Sequence, residues 1–153
     1  MKYAQIWLKV LSADEKVEYE FSVGNKYREF FLIIYGFFCF LWCFASLSTG
    51  ILFFLAAWFY YGFYLKVSNA YAFTNKRVLI HKDWLSTRAV SIDYIKITDI
   101  NVEEPFFDRI LTNTGYLTLN TAGTPLSEGV FKHIESPYEV KKHLDLIMAR
   151  ASK

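Results

Sequence analysis

The side chains best able to carry chemistry are three histidines and two cysteines. His81 and His133 fall on predicted strands and His143 on a predicted helix, and their spacing matches no metal-binding motif such as HExxH. Cys39 and Cys43 lie one helical turn apart, where two thiols supply too few ligands for a metal and point poorly for a disulfide. We therefore interpret the histidines as surface or strand-face residues and the cysteines as small apolar packing residues.

Carboxylates and phosphate-binding loops offer no better candidate for catalysis. Glu103 and Glu104 are adjacent on a predicted strand, so their side chains point to opposite faces of the sheet. The sequence contains no glycine-rich phosphate loop, no Ser–His–Asp order and no nucleophile elbow. We therefore expect no catalytic, cofactor-binding or metal-binding residue, and we predict that the protein is not an enzyme.

The most suggestive charged residues are basic and surround the first predicted β-hairpins: Lys76, Arg77, Lys82 and Arg88. Two interpretations stay open. Either these side chains contact anionic lipid headgroups, each contributing up to about 1 kcal/mol near a membrane surface, or they form an ordinary solvated face. A net charge of +2 provides no large basic field, so we do not expect nucleic acid as a partner.

The elements that would position these residues begin with a long uncharged block at residues 30–65. As a single helix it would measure about 54 Å, against a hydrocarbon core of about 30 Å. Two membrane spans fit better, at residues 27–45 and 51–67, joined by a turn at Ser46, Ser48, Thr49 and Gly50. The sequence therefore predicts a transmembrane helical hairpin over residues 27–67.

Two alternatives to the membrane hairpin are weaker. A chain of 153 residues is too small to cover so many large apolar side chains inside a soluble core. A cleaved signal sequence would start earlier and have a shorter apolar core. Aromatic residues beside Lys66 also favour the membrane, since they resemble an interfacial belt: Trp58, Tyr60, Tyr61 and Tyr64.

Charge indicates the orientation of this hairpin. The predicted turn carries no Lys or Arg, whereas the residues flanking the two spans include Lys26, Arg28, Lys66, Lys76 and Arg77. Positively charged flanks remain in the cytoplasm. We therefore expect a multi-pass protein of the inner membrane with both termini in the cytoplasm.

The segment before the hairpin, residues 1–26, predicts a short helix and a strand. Ile6, Trp7, Val10 and Leu11 share one helical face, which lies either on the membrane interface or on the later domain. Residues 17–23 alternate apolar and polar side chains, as a half-buried strand does. A lone strand needs a sheet, so we expect it to pair with the domain after the hairpin.

Residues 68–153 predict an antiparallel sheet or open barrel with one C-terminal amphipathic helix. Six short segments rich in β-branched and aromatic residues follow one another through short connectors, at residues 70–74, 77–81, 87–92, 97–104, 116–122 and 129–134. One or two helical turns ending at Asn113 interrupt them. The last helix begins with Ser136, Pro137 and Glu139, which resemble a capping box, and continues with an apolar face at Val140, Leu144 and Ile147.

Four groups of residues resemble the bacterial pleckstrin-homology-like membrane proteins that carry a short hairpin anchor. These groups are Tyr71, Thr74, Asn75, Arg77 and Val78; Ile97, Asp99 and Ile100; Arg109, Ile110 and Leu111; and Thr121, Ala122 and Gly123. Two turns depart from the family pattern, with Asp83 in place of glycine and Asn113-Thr114-Gly115 in place of Gly-x-Gly. Asp and Asn tolerate left-handed backbone dihedrals, so both turns can survive.

The resemblance implies the pleckstrin-homology-like fold and little about the ligand, because a fold alone does not define a function. Two roles remain from the sequence. One is a membrane-anchored binding or scaffolding protein, whose partner is another protein or a second copy of the chain. The other is binding of anionic lipid headgroups by the soluble domain. Neither role requires a cofactor.

Overall fold

The structure, a computed structural model, describes residues 3–82, 88–122 and 129–151. The helices are α1 (Ala4–Trp7), α2 (Asn25–Cys43), α3 (Leu47–Ala57), α4 (Leu65–Ser68) and α5 (Pro137–Ala151). The strands are β1 (Val17–Ser22), β2 (Asn69–Thr74), β3 (Arg77–Lys82), β4 (Arg88–Asp93), β5 (Ile97–Glu103), β6 (Thr114–Thr121) and β7 (Gly129–Glu135). A π-helical segment, Trp58–Tyr64, joins α3 to α4, and another covers Asp108–Thr112.

The strands form two antiparallel sheets, ordered β1-β2-β3-β4 and β5-β6-β7. All seven coincide with the predicted strand segments to within two residues at each boundary, because each segment contains the β-branched and aromatic residues that favour strands. The antiparallel α+β fold with a C-terminal helix is confirmed, while the two sheets do not close into a barrel. The predicted glycine replacement at Asp83, and Gly123 of the resemblance, lie outside the described residues.

The strand before the helical hairpin belongs to the same sheet as the strands after it. β1 pairs antiparallel with β2, in a register that ends with Ser22 opposite Ala70. This pairing confirms the expectation that the alternating segment joins the later domain. Because Ser22 and Ala70 are neighbours across the sheet, the whole helical hairpin lies in the connection between two adjacent strands.

The main core lies between the two sheets and α5. Tyr71, Phe73 and Phe131 are fully buried there, and the Tyr71 and Phe73 rings both contact the Phe131 ring edge-on. The predicted apolar face of α5 packs into this core through Val140, Leu144 and Ile147. Burying large aromatic side chains from both sheets is the main source of stability for such a small domain.

A second apolar cluster covers the opposite face of the first sheet. Trp7 of α1 is buried against Ala70, Ala72 and Leu79, whose small or branched side chains leave room for the indole. The sequence left open whether the N-terminal helix lies on a membrane or on the domain. In the structure it packs on the domain.

The hairpin itself consists of α2 and one continuous helix, Leu47–Ser68, packed against each other. The two helices are about 28 Å and 33 Å long at 1.5 Å per residue, close to the thickness of a hydrocarbon core. The predicted turn position is wrong, because the chain turns at residues 44–46. Ser48, Thr49 and Gly50 lie in the first turn of α3.

Gly50 serves close helix packing instead of the turn. A Cβ atom at this position would lie 2.4 Å from the Cys43 Sγ atom and 3.1 Å from the Cys43 backbone. Nearby, Trp42 Nε1 donates a hydrogen bond to Thr49 Oγ1 at 3.1 Å. Small residues at a helix crossing allow backbones to approach, which is how helices associate in lipid. Both cysteines are free thiols, Cys39 buried and Cys43 half-buried.

Most apolar side chains of the hairpin point outward. Large exposed examples include Ile33, Phe37, Phe40, Phe44 and Leu52. Among the described residues, Leu47–Ser68 is the one helix long and apolar enough to cross a membrane, and only 6% of its most apolar stretch is buried. α2 is of similar length but has three charged residues near its start, Lys26, Arg28 and Glu29.

Candidate membrane-facing surface

The four predicted headgroup contacts do not form one cluster. Asn69, the first residue of β2 after the hairpin, pairs with Lys82, which in turn pairs with Arg88. Lys82 and Arg88 therefore lie at the hairpin end of the sheet. Lys76 and Arg77 lie at the other end of the same strands, about 17 Å away along a six-residue strand.

Arg77 is held in an ion pair inside the domain. Its Nε atom lies 3.0 Å from Glu15 Oε1 and its Nη2 atom 2.9 Å from Glu15 Oε2, a two-pronged contact. The Glu15 side chain is 1% exposed, and Thr74 Oγ1 also donates a hydrogen bond to it at 2.7 Å. Arg77 Nη2 lies 3.3 Å from the Val10 carbonyl oxygen. Arg77 thus fastens the N-terminal segment to the β2–β3 turn.

The charge state of Glu15 follows from these contacts. Burial raises the pKa of Glu15, but hydrogen bonds from Arg77, Thr74 and the Ser12 amide outweigh it and lower the pKa to about 2. The same pair raises the pKa of Arg77, chiefly through its hydrogen bond to Glu15. Both groups are therefore charged at neutral pH, and the pair is maintained over the physiological range.

Basic residues also lie at the base of the hairpin. Arg28 of α2 donates from Nη1 to the Gly62 carbonyl oxygen at 3.2 Å, which connects the two hairpin helices. Lys26 is exposed and lies 3.9 Å from a carboxylate oxygen of Glu135. Lys66 is exposed near the end of the second helix. Lys26 and Arg28 lie just before the uncharged block at residues 30–65, and Lys66 lies just after it.

A cleft of about 220 Å³ opens beside this base, between β1 and the start of α2. Lys66 contributes a cation to its lining, but Glu20 and Glu135 contribute two carboxylates. Because the carboxylates oppose an anion, the cleft does not favour a phosphate ligand.

A polar cluster around His133 joins the hairpin to the domain, and sequence reasoning missed it. The His133 ring stacks on Tyr27 of α2 at a centroid distance of 3.9 Å. Its Nδ1 atom lies 3.2 Å from Asp108 Oδ2, and its Nε2 atom lies 3.2 Å from the Tyr116 hydroxyl. Burial lowers the pKa of His133, and Asp108 partly offsets that effect. A neutral ring can donate from Nδ1 to Asp108 and accept from Tyr116.

Left-handed backbone conformations accompany this junction. Asn113, His133 and Ser136 have φ values of 52°, 50° and 48°. Asn113 and Ser136 contact each other directly, since Ser136 N donates to the Asn113 carbonyl oxygen and Asn113 Nδ2 to Ser136 Oγ. Asn113 could be anticipated because Asn tolerates this conformation. His133 could not, because it lies within β7, where an extended backbone is expected.

The other histidines and Glu103, which the sequence raised as candidates, lie within the strands or pack against them. His143 stacks on Tyr19 at 4.5 Å, and His81 is buried in β3. Glu103 ends β5 as expected of a strand residue. In the part of the chain that the structure describes, no three His, Cys, Asp or Glu side chains come together as metal ligands do.

Two antiparallel sheets closed on one side by a C-terminal helix define a pleckstrin-homology-like domain, and the sequence agrees with this assignment. Residues 21–148 match the family described as Bacterial PH domain, which includes the hairpin and nearly all of the sheets. The chain therefore belongs to the bacterial PH domain family. No curated protein has a significantly similar sequence.

Two solved structures have a similar fold. One is a DUF1696 family protein with a pleckstrin-homology domain from Shewanella loihica PV-4, 14% identical, covering 96% of this chain and 94% of its own, with a TM-score of 0.53. The other is a pleckstrin homology domain from Shewanella amazonensis SB2B, 14% identical, covering 97% and 96%, with a TM-score of 0.54. At this identity the likeness concerns the fold alone.

Proposed function

We propose that this protein is a non-catalytic binding or scaffolding element that crosses the inner membrane twice and presents its PH-like domain at the cytoplasmic face. The helical hairpin carries this proposal. Its two helices have the length of a bilayer core, expose Phe, Leu and Ile over most of their surface, and leave from and return to the same end of one sheet. Soluble proteins rarely expose so large a continuous apolar surface to water.

Reporter fusions test the crossing and its direction. A phosphatase active only outside the cytoplasm and a fluorescent protein active only inside are each fused to residue 1, to residue 153 and within the turn at residues 44–46. Fluorescence at both ends and phosphatase activity at the turn support the proposal. Opposite compartments for the two ends, or a protein that stays in solution without detergent, contradict it.

A binding or scaffolding role requires a partner for the PH-like domain. We expect a protein partner or a second copy of the chain, because the membrane holds the domain at a fixed height and orientation for such contacts. Crosslinking in native membranes followed by mass spectrometry identifies either one. A species that stays monomeric and free of crosslinked proteins at native abundance contradicts a scaffolding role.

Anionic headgroup binding is a second candidate, and the position of Lys82 and Arg88 favours it. These residues face each other across β3 and β4 at the hairpin end of the sheet, where the domain approaches the bilayer. Lys76 and Arg77 are left out, because they lie at the far end and Arg77 is paired with Glu15. Each remaining cation near the surface contributes about 1 kcal/mol, so the contact orients the domain without anchoring it.

Lysine reactivity separates headgroup contact from a solvated face. The intact protein is placed in nanodiscs of neutral lipid or of lipid containing phosphatidylglycerol, and acetylation of each lysine is followed by mass spectrometry. We expect anionic lipid to slow the acetylation of Lys82 and to leave Lys76 unchanged. Equal rates for Lys82 in both lipids contradict headgroup binding, with Lys76 as the matched control on the same strand pair.

A further inference from the structure

A short helical turn beside the hairpin has its apolar side chains on the wrong side for a protein surrounded by water. Residues 106–112 form this turn, which begins after Pro105 and ends at Asn113 in a left-handed conformation. Four large apolar side chains on it are exposed by half or more: Phe106, Phe107, Ile110 and Leu111. Thr112, by contrast, is buried.

Two polar side chains of the turn, Asp108 and Thr112, face inward. Asp108 contacts His133, and Thr112 Oγ1 forms a hydrogen bond with Thr114 Oγ1 at 2.7 Å. The spacing i, i+1, i+4, i+5 of the apolar residues places them on one face of a helical turn, opposite Asp108 and Thr112. A helix on a soluble domain normally buries its apolar face and exposes its polar one, so this turn is inverted.

The location of the turn indicates what covers the apolar face. It packs against α2, and Asp108 reaches His133, whose ring stacks on Tyr27. Tyr27 lies just before residue 30, where the uncharged block begins. The apolar face therefore lies beside the hairpin at the depth where a bilayer changes from headgroups to acyl chains.

We infer that residues 106–112 are a third membrane contact, a wedge whose Phe106, Phe107, Ile110 and Leu111 enter the interfacial layer of the bilayer beside α2. The inference rests on the proposed membrane crossing. Arg109 is exposed on the same turn and can reach the phosphate layer while the apolar side chains are below it. Together with the hairpin, the wedge fixes the tilt of the PH-like domain relative to the membrane.

The contact can be measured by nitroxide accessibility in the intact protein. Cys39 and Cys43 are replaced with alanine, and single cysteines are introduced by Ile110→Cys, Phe107→Cys, Ile95→Cys or Leu52→Cys. Ile95 is the matched control, because it is 94% exposed but belongs to the turn that follows Asp93, opposite Arg77 at the far end of the sheet. Each labelled protein is reconstituted in vesicles of phosphatidylethanolamine and phosphatidylglycerol.

We expect labels at residues 107 and 110 to collide preferentially with oxygen, as a label at residue 52 does, and the label at residue 95 to collide with a water-soluble nickel chelate. Labels at 107 and 110 that behave like 95, while 52 remains in lipid, overturn the wedge and leave the hairpin intact. A water-exposed label at 52 overturns the hairpin and the wedge together. Spin–spin broadening at 110 that disappears on dilution with unlabelled protein assigns the face to a second copy instead.

Discussion

At the scale of single residues, Arg77 stabilises the buried carboxylate of Glu15 and is therefore not free to bind a ligand at the surface. We predict that Arg77→Ala destabilises the PH-like domain by roughly 3 kcal/mol, the lower end of the cost of breaking a buried pair, because Arg77 is partly exposed. The variant leaves the Glu15 carboxylate buried without its partner. Amide hydrogen exchange of β2 and β3 in detergent measures the loss.

The same pair has a defined pH dependence. The pKa of Glu15 is about 2 in the folded protein against an ordinary value of 4.5, so the pair stabilises the fold above about pH 4.5 and this contribution is lost as the pH falls toward 2. The difference between Arg77→Ala and the unaltered protein should therefore shrink over that range. Glu139→Gln is the control, since its partner Lys142 is exposed; an equally large effect there would contradict the assignment.

His133 offers a prediction about backbone conformation and ring stacking together. His133→Asn keeps a residue that tolerates φ near 50° but loses the ring on Tyr27, which we expect to cost about 1 kcal/mol. His133→Val should cost more, because a β-branched residue resists this conformation. Thermal unfolding in detergent measures both, with the exposed neighbour Lys132→Asn as control. Equal losses for the Asn and Val variants would contradict the role of the backbone.

At the scale of elements, Gly50 is the position where the two hairpin helices come closest. Gly50→Ala places a Cβ atom 2.4 Å from Cys43 Sγ and 3.1 Å from its backbone, so the helices must separate. We expect a loss of about 1–3 kcal/mol, the usual cost of overpacking. The matched control is Gly62→Ala, whose nearest neighbour is the Trp58 ring at 3.9 Å. We expect thermal unfolding in detergent to show a lower melting temperature for the Gly50 variant and an unchanged one for the Gly62 variant. Equal melting temperatures for the two variants would contradict close packing at Gly50.

The strands and the C-terminal helix could be predicted because their signals are local. Alternation indicates β1, β-branched and aromatic residues indicate β2 to β7, and the spacing of Val140, Leu144 and Ile147 indicates α5. The pairing of Glu15 with Arg77 could not be predicted, because 62 residues separate the two and neither carries a local signal of the other. The turn at residues 44–46 was misplaced since Gly50, a residue typical of turns, is used here for helix packing.

The candidate surface was predictable only in part for the same reason. Basic residues that are close in sequence form two groups at opposite ends of a sheet, because Lys76 lies in the β2–β3 turn and Lys82 at the other end of β3. The exposed face of Phe106, Phe107, Ile110 and Leu111 requires knowing that Asp108 and Thr112 face inward. Their inward orientation depends on contacts with β6 and β7, and no local sequence pattern indicates those contacts.

At the scale of the whole molecule, the hairpin is an insertion into the β1–β2 connection of one domain. Both strands are needed, because Tyr19 and Phe21 of β1 pack on the core and β2 is almost fully buried with β1 in place. The hairpin is therefore joined to the domain through two adjacent strand ends, a more rigid attachment than a single linker. This arrangement also limits which fragments can fold.

We predict that a fragment of residues 68–153 does not fold cooperatively, since it lacks β1 and leaves the inner edge of β2 and the Phe73 side chain without cover. A fragment joining residues 1–24 to residues 69–153 through a short Gly/Ser linker should fold and stay in solution, because Ser22 and Ala70 are already neighbours. Dispersed amide NMR signals and a single thermal transition identify the folded fragment. If both fragments fold equally well, the first strand is dispensable and the insertion does not determine the architecture. If neither folds, the domain depends on the hairpin itself, through contacts such as Tyr27 with His133.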